Sequence, residues 1–314
     1  MNFSWGNTRR FNSWADRSRL LYGSRLQRVS VNAGFSCPNR DGSLGWGGCT
    51  FCNNQGFSPA YCQPEKPILA QLDQGLSFLK KRYKRPDVFI AYFQAYTNTH
   101  GSIGLLKTLY NEAMQHPEIK GLAIGTRPDC IDEEKLDYFA ELAKQFIITL
   151  EYGVESCYNE TLQRINRGHT FEQTVKAIEM TASRSLHTGV HMIFGLPGET
   201  RSQMLDQAKI LSGLPIQTIK FHQLQIVSGT SMALEYKQHP ERFNLFQLRD
   251  YVEFIAKFLE QLNPEISIER LSGEVPPAIN EGISWGRIRS EQVIGLIEKK
   301  MEDWGTWQGR LWSK

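Results

Sequence analysis

The sequence predicts an α/β fold: a partial (β/α)6 TIM-like barrel of parallel strands, followed by a small C-terminal α+β extension. Six short apolar runs alternate with amphipathic stretches between residues 26 and 228, and this alternation is typical of parallel strands covered by helices. Right-handed crossovers curl such units into a full or partial barrel. The alternation stops after residue 228. The chain has 314 residues, 40% of them hydrophobic, which is enough for one large domain or two ordinary ones.

Each predicted strand is a short apolar run between polar or glycine-containing segments. The fifth run leads into Pro197-Gly198, a pair that ends a strand. The six strands are expected at residues 26–31, 87–95, 121–125, 146–153, 190–196 and 218–227.

The predicted helices follow from apolar spacing and from end signals. Apolar residues recur at helical spacing over 67–85, and the next helix, over 103–115, ends at His116-Pro117. Asp132 is an N-cap residue with acidic residues in the turn that follows it. Further helices are expected from Tyr158, from Thr170 and over 200–211.

The pattern changes after residue 228. There we expect a long amphipathic helix over 245–262, a strand over 266–270 and an irregular tail containing Pro and Gly. We therefore divide the chain into a basic aromatic arm at residues 1–25, a core at 26–228 and a C-terminal region at 229–314.

Positive charge is concentrated at the N-terminus. The chain carries +3 overall, but residues 1–28 hold six arginines against Asp16, or +5, which leaves about −2 for residues 29–314. Aromatic residues are interleaved in this segment and again around Trp304, Trp307 and Trp312. Basic side chains neutralise phosphates and aromatic rings stack on unpaired bases, so the pattern is compatible with a nucleic-acid partner. The alternative is that these aromatics fasten both termini to the body of the protein.

The apolar runs and the cysteine content indicate in which cellular compartment the protein is expected. None approaches the roughly 20 residues that a membrane helix needs, and the first residues contain no apolar secretory region. Six cysteines in a chain of this length do not suggest a disulfide framework. We expect a cytoplasmic protein without a membrane partner.

Three cysteines lie close together in a glycine-rich loop after the first strand. Cys37, Cys49 and Cys52 have the spacing C-x11-C-x2-C, and thiolates bind iron–sulfur clusters or zinc. A structural zinc site needs a fourth ligand, for which Cys62 is available at an unusual spacing. A redox pair at Cys49 and Cys52 leaves Cys37 without a role. A cluster held by three cysteines, a zinc site and unligated structural cysteines all remain open from the loop alone.

Six motifs, in order, connect this loop to a known family: GFSCPNRDG, GGCTFC, AYFQAY, GTRPDC, RINRGH and GLPGE. Together they resemble the radical S-adenosylmethionine (SAM) superfamily, in the branch of the elongator catalytic subunit and the YhcC/YtqA-type proteins. The resemblance covers about residues 26–275. It implies an enzyme in which Cys37, Cys49 and Cys52 bind a [4Fe–4S] cluster whose fourth iron binds SAM. One electron from the cluster then yields a 5′-deoxyadenosyl radical that takes a hydrogen atom from the substrate.

The resemblance also implies residues that bind SAM. The backbone at Phe51 would face the adenine, and Ile193 would pack on it. Glu155 would contact the ribose hydroxyls, and Arg167 the methionine carboxylate. Where related proteins have a glycine pair for the methionine amine, this chain has Gln94-Ala95-Tyr96. For Arg167 a surface charge at a helix end, and for Ile193 a plain core position, are the alternatives.

Polar residues on the later strands are candidates for contact with the substrate. His191 shares a strand face with Ile193, so it points into the barrel if Ile193 does, and Lys220 shares a face with His222 on the sixth strand. They are otherwise interior groups with satisfied hydrogen bonds. Cys130 and Tyr96 are candidates for radical-related chemistry, whereas Cys62 and Cys157 are expected to be ordinary small residues.

The leading hypothesis for function is modification of a transfer RNA base, at the C5 side chain of a wobble uridine. It follows from the nearness to elongator-type enzymes and from the basic, aromatic termini. The same chemistry on a small metabolite or a protein side chain is the first alternative, and a non-catalytic iron–sulfur or zinc module is the second. A reductant such as flavodoxin or ferredoxin is expected as a further partner.

Overall fold

The computed structural model describes residues 3–53, 58–82 and 88–313. Its centre is a sheet in which seven strands follow each other in chain order, each parallel to the next. The sheet curls into a half-barrel. Its strands are β1 (Leu26–Val31), β2 (Val88–Phe93), β3 (Ile119–Thr126), β4 (Ile147–Glu155), β5 (His187–Phe194), β6 (Thr218–Gln223) and β7 (Ser267–Arg270).

Helices cover the outer face of the sheet, and one more precedes it. The ten helices are α1 (Trp14–Tyr22), α2 (Ile68–Arg82), α3 (Ile103–Met114), α4 (Glu133–Ala143), α5 (Asn159–Arg164), α6 (Phe171–Ala182), α7 (Arg201–Ser212), α8 (Ser231–Gln238), α9 (Leu248–Gln261) and α10 (Ser290–Asp303), counted within the described residues. Side chains alternate along each strand, so one set, including Leu122, Ile124 and Leu150, packs outward into the main core. The other set lines the interior.

The predicted α/β partial barrel is confirmed, and all six predicted strands are present. The Asp132 side chain caps α4 by accepting a hydrogen bond from the backbone N–H of Lys135 at 2.9 Å. The predicted ends at Arg85 and Asp87 lie outside the described residues. β6 ends at Gln223 rather than at Val227, because the chain turns away from the sheet there.

Two features after residue 228 differ from the expectation. The strand near residue 266 belongs to the main sheet, since Thr218 pairs with Ser267 and β7 thereby extends the half-barrel. The tail is not irregular throughout. α10 forms because Val293, Ile297 and Met301 recur every fourth residue and bury one face. The boundary placed at 228/229 remains a prediction.

Helix α1 closes the end of the half-barrel at which the strands begin. Trp14 packs there against Leu26 and Ile90, and its ring centroid is 4.9 Å from that of His187, the first residue of β5. Burial lowers the pKa of His187 to about 4. The chain therefore places the basic N-terminal segment at the opposite end from the carboxyl ends of the strands.

The aromatic residues of the N-terminal arm hold the two termini together. Trp5, Phe11 and Trp14 are buried, and the ring centroids of Phe3 and Trp307 lie 5.8 Å apart. Arg9 forms an ion pair with Glu298 at 2.9 Å. These three buried rings are already packed and cannot stack on a base, so for them the fastening alternative is correct. Within the described residues, no helix is long and apolar enough to cross a lipid bilayer.

Candidate active site

A single cavity of about 260 Å³ opens at the carboxyl ends of the strands and receives most of the predicted site residues. In a parallel barrel this end carries the loops that follow the strands, so residues distant in sequence meet there. The predicted residues that line it are Cys37, Cys49, Phe51, Cys52, Gln94, Tyr96, Glu155, Arg167, His191, Ile193, Lys220 and His222. The structure describes all of the predicted site residues, and two of them, Ala95 and Cys130, do not line the cavity.

The cysteine loop after β1 is folded by backbone hydrogen bonds of its own. The N–H of Arg40 donates to the carbonyl of Cys37 at 2.8 Å, and the N–H of Gly48 donates to that of Asn39 at 2.7 Å. Gly48 has a φ of +79°, and a Cβ there would lie 2.7 Å from Nε of Arg40. Only glycine suits both the turn and this close approach.

The turn at residues 165–167 fixes the same loop from the other side. The N–H of Thr50 donates to the carbonyl of Ile165 at 2.9 Å, and Nδ2 of Asn166 donates to the carbonyl of Gly48 at 2.9 Å. Asn166 adopts a left-handed φ of 53°, which a side chain rarely accepts without a compensating contact. The RINRGH motif therefore shapes the cysteine loop in addition to supplying Arg167.

The three cysteines line one cavity without converging on one point. Within the described residues, no group of three His, Cys, Asp or Glu side chains could hold a single metal ion. A four-iron cube instead binds each thiolate to a different iron, so its cysteines need to surround a space. Cys37, Cys49 and Cys52 all line the cavity at the strand ends.

Arg167 lies beside the cysteines and is buried, so it is not a surface charge. One of its nitrogens donates to Sγ of Cys49 at 3.6 Å, and another donates to the carbonyl of Gly153 at 2.6 Å. The same guanidinium is 3.4 Å from the carboxylate of Glu155. A Cβ on Gly153 would lie 2.5 Å from both partners, so the glycine makes room for the pair.

Two residues at the cavity wall have a left-handed backbone. Glu155 has a φ of 66° and Tyr96 a φ of 61°, which costs free energy for any residue with a side chain. Each lies where a strand gives way to its loop, at the end of β4 and just beyond β2. Such strain is typical of positions whose geometry is held for binding or catalysis.

Apolar side chains form another part of the cavity wall. Phe51 and Ile193 both border a small apolar cluster that includes Leu162, Ile165 and Leu196. Ile193 therefore packs on the apolar cluster and also lines the cavity, so it has features of both the core position and the binding position considered for it. Ala95 is buried behind the lining, because the chain turns at this point and only its neighbours Gln94 and Tyr96 reach the cavity.

A layer of buried charges forms the floor, and its centre, Glu151, did not emerge from the sequence analysis. Glu151 is 1% exposed and accepts hydrogen bonds from Lys220 at 2.7 Å and from His191 at 3.0 Å. It also pairs with Arg28, which in turn lies 2.7 Å from Glu269. Burial alone would raise the pKa of Glu151, but Arg28, Lys220 and His191 hold it well below its ordinary value. An acid in the middle of a predicted interior strand was the signal that could have found it.

The polar residues predicted on the later strands all face this floor. The ammonium of Lys220 is 4.8 Å from the centroid of the Tyr92 ring and donates to its hydroxyl at 3.3 Å. Burial and the neighbouring Arg28 lower the pKa of Lys220. The rings of His191 and His222 lie 6.1 Å apart. Lys220 and His191 thus have partners within the layer, as interior polar groups need.

Cys130 belongs to the turn outside the cavity. Its carbonyl accepts a hydrogen bond from Thr99 at 2.7 Å, and burial raises the pKa of its thiol to about 12. The preceding Arg127 is paired with Asp129 at 2.8 Å and donates to the carbonyl of Arg167 at 2.7 Å. The GTRPDC motif therefore supports Arg167 from behind, a role that spacing alone did not reveal.

Comparison with known proteins agrees with this architecture. The model of the Radical SAM superfamily matches residues 37–210, and that of the Radical_SAM C-terminal domain matches residues 216–303. The first match covers more than half of the chain and contains the cysteine loop and the GLPGE strand.

Three curated relatives span different shares of the chain. The uncharacterized protein YtqA of Bacillus subtilis is 31% identical over 313 residues, 99% of this chain and 96% of its own length. YhcC of Escherichia coli is 36% identical over 252 residues, 80% of this chain and 79% of its own. The tRNA uridine(34) acetyltransferase of Methanocaldococcus infernus is 26% identical over 195 residues, 60% of this chain but only 35% of its own.

A solved structure shows the same fold. Elp3 of Methanocaldococcus infernus, with its N-terminus deleted, superimposes with a TM-score of 0.68 at 18% sequence identity, covering 90% of this chain and 64% of that one. The cavity at the strand ends, the cysteine loop and the two matching families lead to one assignment. The chain belongs to the radical SAM superfamily and is an enzyme whose cofactors are a [4Fe–4S] cluster and SAM.

Proposed function

We propose that this enzyme modifies a base of transfer RNA, at the C5 side chain of a wobble uridine, by radical chemistry in the cavity at the strand ends. The observation that supports radical chemistry is that three cysteines, Arg167 and the strained Glu155 all line one cavity. The proposed tRNA substrate rests on the relatives named tRNA uridine(34) acetyltransferase and Elongator complex protein 3, which match this chain over 195 and 232 residues.

In this proposal Cys37, Cys49 and Cys52 hold the cluster. When bound, the cluster and SAM together supply a radical that abstracts hydrogen from the substrate. The donor set fits, because all three ligands are thiols that line one space and the loop glycines let the backbone approach closely. The chain's own contribution is to fix this geometry and to exclude water from the cavity.

Arg167 and Glu155 are assigned to SAM. Nε of Arg167 is buried without a hydrogen-bond partner among the described residues, so the guanidinium has capacity for a carboxylate. Phe51 and Ile193 offer an apolar surface for a purine, and Gln94 and Tyr96 stand beside them on the wall. The floor formed by Glu151, Lys220 and His191 is assigned to the substrate.

The surface that supports RNA binding is the cysteine loop. Trp46 on this loop is 76% exposed and Leu44 is 59% exposed, which is unusual for large apolar side chains. Exposed aromatic rings stack on unpaired bases regardless of sequence. The basic N-terminal segment, in contrast, lies at the far end of the half-barrel, and part of its charge is paired. It therefore supports RNA binding less than its composition suggests.

The test uses the full chain after anaerobic reconstitution with iron and sulfide. With SAM and dithionite in place of the proposed flavodoxin or ferredoxin, we expect 5′-deoxyadenosine to form, and bulk tRNA to acquire a new nucleoside by mass spectrometry. Deletion of the gene should remove that nucleoside from cellular tRNA. SAM cleavage with unchanged tRNA nucleosides in both experiments would contradict the tRNA substrate and favour a metabolite or protein side chain.

A further inference from the structure

Arg270 ends β7 and lies at the rim of the cavity. It lines the cavity and is exposed to it, and no carboxylate in the described part of the chain lies within ion-pair distance. The carboxylate of Glu274 accepts a hydrogen bond from the N–H of Ser290. This hydrogen bond and, to a smaller degree, the charge of Arg270 lower the pKa of Glu274. The guanidinium of Arg270 therefore keeps its donors available.

The charges of the floor do not cancel. Arg28, Lys220 and Arg270 are cations, whereas Glu151 and Glu269 are the two anions that contact the layer. Arg28 and Lys220 each pair with both acids, which leaves Arg270 as the uncompensated charge. An unmatched cation at a cavity wall favours a ligand that brings a negative group.

His222 lies next to this cation and also lacks a partner. Within the described residues its ring forms no hydrogen bond, although it is partly buried. A Cβ on Gly273 would lie 2.6 Å from Nδ1 of His222, so the backbone after Arg270 runs close against the ring. Burial and the neighbouring Arg270 lower the pKa of His222 well below its ordinary value, and a neutral imidazole ring has one N–H to donate.

We propose that the β6–β7 side of the cavity is a subsite for an oxyanion of the substrate, bound by the guanidinium of Arg270 and the ring N–H of His222. The proposal rests on the assignment of this cavity to the substrate. It adds that the substrate is acidic close to its reacting atom. A phosphate or a carboxylate supplies this chemistry, and the experiment separates the two.

The first test is calorimetric titration of the full chain with three probes: uridine, uridine 5′-monophosphate and uridine 5′-carboxylate. We expect one of the two anionic probes to bind about tenfold more tightly than uridine. Arg270→Gln should remove that advantage, and Arg270→Lys should retain part of it. Arg249→Gln is the control, since Arg249 is 86% exposed on α9, away from the cavity lining, and should change nothing.

The second test does not depend on a nucleoside. Inorganic phosphate is titrated into protein labelled with ¹⁵N-histidine, and the ring signals of His222 should shift in the wild type but not in Arg270→Gln. If the ring signals of His222 do not shift and the three probes of the first test bind equally tightly, the proposed subsite is wrong. If the subsite holds while tRNA stays unmodified, only the tRNA proposal fails. If tRNA is modified but no anion binds, only the subsite fails.

Discussion

At the residue scale, Cys49 and Cys62 show how one residue type serves two purposes. Sγ of Cys49 faces the cavity and accepts a hydrogen bond from Arg167. Cys62 donates to the carbonyl of Ser30 at 3.2 Å, and burial raises the pKa of its thiol to about 11. The first is placed to be a metal ligand and the second to be a small packing residue.

Replacing these two cysteines tests the cluster assignment. We expect Cys49→Ala to abolish both the iron–sulfur absorbance and SAM cleavage, because one iron loses its protein ligand. Cys62→Ala should keep both and cost only a little stability. Iron content, absorbance and 5′-deoxyadenosine are measured on both variants after identical reconstitution. A Cys49→Ala protein that still cleaves SAM would show that the cluster is held elsewhere.

At the element scale, the loop between β1 and α2 joins the metal ligands to the proposed RNA surface. A Cβ on Gly42 would lie 2.5 Å from the indole of Trp46, so the ring packs flat over this glycine while its other face stays exposed. The described part of this loop thus presents an aromatic plane that is already packed in place before RNA binds.

Trp46→Ala tests this plane. Loss of one stacked base costs about 1–3 kcal/mol, so the Kd for tRNA should rise about tenfold or more, while the cluster absorbance stays unchanged. Trp304→Ala is the matched control. Trp304 is 38% exposed and directly follows α10, close to where Thr306 contacts Arg10 of the N-terminal arm. A loss in Trp304→Ala with none in Trp46→Ala would assign RNA binding to the termini instead.

At the scale of the whole molecule, the charged floor connects strands from one edge of the half-barrel to the other. Arg28 is on β1, Glu151 on β4, Lys220 on β6 and Glu269 on β7. These four residues lie on four different strands, so their contacts exist only once the sheet has curled. The buried cations around Glu151 hold the pKa of its carboxyl low, and these cations need the acids of the layer as partners in return.

Glu151→Gln should therefore destabilise the protein by about 3–5 kcal/mol at neutral pH, because Arg28 and Lys220 lose their shared anion. Urea unfolding of the full chain measures this. Glu141→Gln, in an exposed pair with Lys144, is the control and should cost less than about 1 kcal/mol.

The pH dependence follows from the depressed pKa of Glu151. Its stabilising contribution is complete above the ordinary carboxyl pKa of 4.5 and is lost as the pH falls towards the folded-state value. The Glu151→Gln protein should lack this part of the acid sensitivity. Equal stability of the wild type and this variant from neutral to acid pH would contradict the role given to the layer.

Much of the fold and of the cluster site could be predicted from the sequence because both are encoded locally. Apolar runs set the strands, Asp132 and Thr170 cap their helices, and the spacing of Cys37, Cys49 and Cys52 is a continuous motif. The alternation of side chains along a strand also placed His191 with Ile193 and Lys220 with His222 correctly on one lining.

Only the tertiary structure decided which distant residues became partners. Arg28, Glu151 and Lys220 meet because parallel strands bring positions far apart in the chain to one level of the half-barrel. The N-terminal segment is basic and aromatic in sequence. In the fold, however, its buried rings pack against the body of the protein, and the segment lies at the end of the half-barrel where the strands begin. A motif fixes the chemistry of the residues within it, whereas burial and charge pairing depend on neighbours that the fold alone supplies.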